Sequence, residues 1–161
     1  MMTLSRKLWL PLACAVLLLG LAGGHGSLAQ TEKSGSAPKV HVTTPVNNLI
    51  RYGLGLTFIS GTVEGTDVKE VGISIRRVGT NEEWAATKKG GSFVAGPTGK
   101  WLKTTLDGDK WFAPTSKYSL PTFADLLPAG SDEMRYIIYA YAKDRAGHRS
   151  EEEGVMIIVR R

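Results

Sequence analysis

Cysteine is almost missing from this chain: there is one in 161 residues, Cys14, and it sits inside an apolar N-terminal stretch. If that stretch is removed, neither a disulfide framework nor a paired-cysteine zinc site can be built. Histidine is scarce as well, with only His41 and His148 beyond residue 29. There is no H-E-x-x-H pair, no G-x-S-x-G elbow and no glycine-rich phosphate loop. Hydrolysis by a nucleophile needs an activated Ser, Cys or Thr beside a base and an orienting acid, and two scattered histidines supply no such set. No catalytic residue, metal or cofactor is therefore expected. Charge of one sign is not in large excess. Without Arg6 and Lys7 the chain has 18 basic against 15 acidic residues, a formal charge of +3. This is too little to draw nucleic acid or an anionic membrane surface. No long apolar stripe with a 3.6-residue period occurs, which argues against a helical domain.

The first thirty residues have the layout of a secretory signal. Arg6 and Lys7 precede an apolar stretch from Leu8 to Ala22, and small residues follow, placing cleavage after Ala29. The apolar stretch is shorter than the roughly 18 to 20 residues that span a bilayer, so no stable membrane insertion is expected after cleavage. Most of it follows Cys14, the wrong side for a lipid-attachment cysteine. Residues 30–38 (QTEKSGSAP) are small and polar and read as a flexible leader. The remainder, 39–161, is of a size to form one domain.

Short β-rich runs fill that remainder. They are 39–44, 56–63, 68–78, 101–106, 110–112, 133–143 and 154–160, punctuated by Gly, Asp and Pro. Asp107-Gly108-Asp109 between two runs signals a tight hairpin, because such turns need positive φ. About seven strands at this spacing predict an all-β antiparallel sandwich. Residues 79–100 are the least regular: Glu82 to Ala86 reads as a short extra strand and Lys88 to Gly91 as a turn.

Several pieces point to a family. They are Pro38-x-Val40-x-Val42, Ile59-Ser60-Gly61-Thr62-Val63, Val71 to Arg77, Glu83-Trp84, Trp101-Leu102-x-Thr104-x-Leu106-x-Gly108-x-x-Trp111, and Tyr136-x-Ile138-x-Ala140-x-Ala142-x-Asp144-x-Ala146-Gly147-His148. From Lys39 to Val159 the chain resembles the immunoglobulin-like or fibronectin-type-III-like modules of bacterial extracellular proteins. It departs from them at His148, where such modules usually carry asparagine. A second departure is the five residues that separate Leu127-Pro128-Ala129-Gly130 from Tyr136. The resemblance implies a sandwich and an adhesive, binding or spacer role, and no reaction. A likeness of fold supplies no ligand. Within it, Tyr136 is expected at a tyrosine corner, and Asp144 and Gly147 to specify a turn. Calcium between Asp144 and Glu151 to Glu153 is the competing reading.

Two surfaces are candidates for binding. If Tyr136, Ile138, Ala140 and Ala142 face inward, period 2 turns Ile137, Tyr139 and Tyr141 outward, and Met156 and Ile158 point out beside them. Such an apolar outer face needs a cover. That cover is either the chain's own 79–100 segment, with Trp84 or Phe93 folded over it, or a partner protein or second copy of the chain. The alternative surface is a sugar-stacking platform of Trp84, Trp101 and Trp111 with Phe93 and Phe112, against which stands plain core packing. The expected function is a secreted or periplasmic, non-catalytic binding module acting on a protein or polysaccharide at the cell envelope. The alternative is a carbohydrate-binding module or accessory to a polysaccharide-active enzyme.

Overall fold

A computed structural model describes residues 35–96 and 98–161. The export signal, its cleavage point after Ala29, Cys14 and most of the leader lie outside the described residues. In chain order the strands are β1 (Lys39–Thr44), β2 (Leu49–Tyr52), β3 (Ile59–Glu64), β4 (Val68–Arg77), β5 (Glu82–Thr87), β6 (Gly90–Ala95), β7 (Leu102–Lys103), β8 (Thr105–Asp107), β9 (Lys110–Ala113), β10 (Glu133–Asp144) and β11 (Glu153–Arg160). One helical turn, α1 (Phe123–Leu126), precedes β10.

Alternation of apolar and polar residues stacks the strands into two layers. The smaller sheet has the order β1-β3-β9-β8 and the larger β2-β11-β10-β4-β5-β6, with β7 also beside β4. Val40, Ile59, Val63 and Trp111 from the first layer meet Ile73, Ile75, Ile138, Ala140, Ile157 and Val159 from the second in one buried cluster. Trp111 fits because its cross-strand partner is Gly61, where an added Cβ would lie 2.4 Å from the indole and 1.8 Å from the His41 carbonyl oxygen.

The expectation of a purely antiparallel sandwich of about seven strands needs correcting. Among the described residues there are eleven strands, and the large sheet is mixed because β2 runs parallel to β11. Sequence pattern does not mark β2, in which Leu49 turns inward while the equally apolar Ile50 is exposed, so no polar residue flags the outer face. Asn47 fastens its entry: its side-chain oxygen accepts from the Met156 N–H at 2.8 Å, and the Asn48 N–H donates to the Met156 carbonyl at 2.7 Å. The run 101–106 likewise proves to be two strands in different sheets, β7 pairing with β4 and β8 with β9. Thr104 makes the change of layer, its N–H and hydroxyl both donating to the Val71 carbonyl, at 3.1 and 2.9 Å.

The Asp107-Gly108-Asp109 hairpin forms as expected, with Asp107 opposite Lys110 and Gly108 at φ 60. The 79–100 region holds a hairpin, β5 and β6, rather than one extra strand. Before β10, Thr122 and Asp125 cap α1 reciprocally. The turn ends beneath Tyr136, which is fully buried and donates its hydroxyl proton to the Leu126 carbonyl.

Candidate binding face

The outer face of the large sheet carries the residues that the alternation of β10 and β11 turns away from the core. Cross-strand register sets them in rows: Ile50 with Ile158 and Arg135, Met156 with Ile137 and Arg76, Gly154 with Tyr139 and Ser74, and Tyr141 with Gly72 and Lys103. Ile137, Tyr139, Tyr141, Met156 and Ile158 are all half-buried, and all five lie on this one face. Two glycines make room for the tyrosines. A Cβ on Gly72 would come within 2.5 Å of the Tyr141 ring, and one on Gly154 within 3.1 Å of the Tyr139 ring.

The face divides in two. On the half nearer β4 and β7, arginines lie between the rings. The Arg76 guanidinium is 4.6 Å from the Tyr139 ring centre and 5.6 Å from that of Trp101. That of Arg149 is 4.0 Å from Tyr141 and 5.0 Å from Trp101, and Trp101 meets Tyr141 edge-on at 4.8 Å. Each such contact is worth about 0.5–1 kcal/mol at an exposed site, so the cations and rings cover one another. Burial pushes the Tyr141 phenol above its ordinary pKa, and the neighbouring Glu70 carboxylate adds to this. On the other half the row of half-buried Ile137, Met156 and Ile158 continues into Ile50 and Tyr52, which are 40% and 60% exposed. This half is rimmed by Glu133, held below its usual pKa by Arg135 and by Arg160.

The expected cover by Trp84 or Phe93 is overturned. Both side chains turn inward: Trp84 is 1% exposed and donates its indole N–H to the Ser119 carbonyl at 2.9 Å, and Phe93 lies 5.3 Å from both Trp84 and Tyr136. Their strands present these residues to the core because Glu83, out of phase with Trp84, takes the outer side. The sugar platform of Trp84, Trp101 and Trp111 fails for the same reason, since Trp84 and Trp111 are buried and only Trp101 remains at the surface. Phe112 stacks with Phe58 on the other sheet.

At the turn between β10 and β11, Asp144 accepts from the His148 backbone N–H and pairs with its Nδ1, each at 2.8 Å, while Gly147 adopts φ 99. Burial pushes the Asp144 carboxyl up, but the bonds from His148 and the Gly147 N–H outweigh it and hold the pKa below the usual value. His148 thus bonds where the resemblance leads one to expect asparagine. Among the described residues, no three His, Cys, Asp or Glu side chains gather in a way that could hold a metal ion. His41 faces Glu153, whose carboxylate takes its Nδ1 at 2.8 Å and the Val42 N–H at 3.0 Å, tying β1 to β11 across the layers.

Sequence reasoning missed Arg76 and Arg149. Their place follows only from strand register, which puts Arg76 opposite Ile137 and brings the residues after Asp144 back over Tyr141. Comparison with family models and with curated proteins finds no match for the chain.

Proposed function

We propose that this chain is an exported, non-catalytic binding module of immunoglobulin-like architecture, whose open apolar half-face docks a protein of the cell envelope. The architecture is supported by strand order. The small sheet follows the A-B-E-D order of immunoglobulin domains, and the large one sets β5 and β6 beside the β11-β10-β4 trio as variable-type domains add their extra strands. The bond from Tyr136 to Leu126, ten residues upstream, has the form of a tyrosine corner. Two residues after that tyrosine, where antibody domains carry a disulfide cysteine, stands Ile138, fully buried.

The observation that carries the binding role is the contiguous apolar row from half-buried Ile137, Met156 and Ile158 to the exposed Ile50 and Tyr52. A contiguous apolar patch with a charged rim is how protein interfaces are built. The test is capture from a native envelope fraction. An Ile158→Glu variant, with its thermal transition within a few degrees of the parent, is expected to lose a partner that the parent retains and that Trp101→Ala also retains. Equal capture by parent and Ile158→Glu would reject this surface.

A further inference from the structure

Trp101 stands between two hollows on the covered half of the outer face. One, of about 400 Å³, is bordered by Glu70, Lys143 and Arg149, and the other, of about 510 Å³, by Lys100 and Lys103. Trp101 and Tyr141 line both. Four cations thus face one carboxylate, and that one is engaged: Glu70 accepts the Tyr141 hydroxyl at 3.2 Å and pairs with Lys103 at 3.4 Å. Arg149 is steadied from outside the hollows by Glu152, at 3.0 Å. Lys100 and Lys143 take part in no ion pair among the described residues.

The wall between the hollows is fixed at a cost. Glu83 is 2% exposed, and its carboxylate accepts from the Ser74 hydroxyl at 2.6 Å and from the backbone N–H and hydroxyl of Thr98 at 2.8 and 3.1 Å. A buried carboxylate is expensive and persists only where its lone pairs are filled. The core makes no use of it, since Glu83 points away from the packed layers. What it holds is the segment that delivers Trp101, and preorganised walls of this kind belong to binding sites.

We infer that the two hollows form a preorganised site for an anionic saccharide, independent of the apolar half-face. The indole edges two adjacent hollows, and Lys100, Lys143 and Arg149 draw carboxylate or sulfate groups on the sugars. An acidic peptide fits less well. Extended peptides bind by adding to a sheet edge, and along this stretch β4 is already flanked by β7 and β10, while Trp101 interrupts the path.

Calorimetric titration of the full chain tests this, using an oligogalacturonate, a sulfated heparin oligosaccharide, a neutral galactan oligosaccharide and polyglutamate. One or both anionic saccharides bind, more weakly as salt is raised, and which of them binds separates carboxylate from sulfate. The neutral glycan and polyglutamate do not bind. Trp101→Ala and the double variant Lys100→Gln/Lys143→Gln each reduce affinity about tenfold. Should Trp101→Ala fail to fold, the double variant decides. Glu83→Ala weakens binding and speeds exchange of the Thr98 amide, and Glu83→Gln, whose amide oxygen still accepts from Thr98, restores both. Absence of saccharide binding, equal binding of the neutral glycan or polyglutamate, or affinity unmoved by the double variant would overturn the proposal.

Discussion

Single side chains fix the two corners of β10. Tyr136→Phe removes the proton held by the Leu126 carbonyl and leaves that acceptor buried, so a loss of about 1–3 kcal/mol is expected from denaturant unfolding. Burial pushes the Tyr136 pKa above its ordinary 10.0, against the pull of Arg77. Below pH 10.0 the stabilisation is complete, and it drains away as pH rises through the folded-state value, because the unfolded chain ionises first. The stability gap between parent and Tyr136→Phe therefore narrows in alkali. Asp144 has the opposite sign. Its pKa is lowered from 3.8, so its contribution is present above that value and fades as pH falls through the folded-state value. Proton titration by NMR is expected to show the Asp144 to His148 turn loosening at acid pH before the sheets melt. Both corners were legible in the sequence because Tyr136, Asp144 and Gly147 act on backbone within ten residues. The buried Glu83 was not, because its partners Ser74 and Thr98 come from separate elements.

At the scale of elements, β1 is an edge strand of the smaller sheet. It pairs with β3 alone in its sheet, and its outer edge is closed by one carboxylate from β11. Glu153→Ala opens the Val42 N–H to solvent, and hydrogen exchange at that amide is expected to quicken by about tenfold while β10 amides stay protected. Faster exchange throughout would place the bond's importance elsewhere. Long strands with clean alternation, β4, β10 and β11, lie where the pattern put them. The failures are short elements whose partners decide them. Four residues of β2 have no outer polar phase to read, and β7 and β8 form one continuous run that only Thr104 divides between the layers.

Across the whole molecule, the fold class was readable because a two-layer β domain needs only alternation and turns. The outer face proposed for binding was readable in part, because period 2 alone turns Tyr139, Tyr141 and Ile158 outward. What covers that face depended on register between strands far apart in sequence, which is why arginines, and neither Trp84 nor Phe93, lie over it. The parallel seating of β2 on β11 has a mechanical consequence. Once β1 has parted from β3, tension applied between Lys39 and Arg161 drags Leu49–Tyr52 and Ile157–Arg160 in opposite directions along a shared axis. Their hydrogen bonds then share the load and must rupture together, instead of unzipping one at a time, so a chain stretched between two anchored bodies resists at its weakest-looking seam.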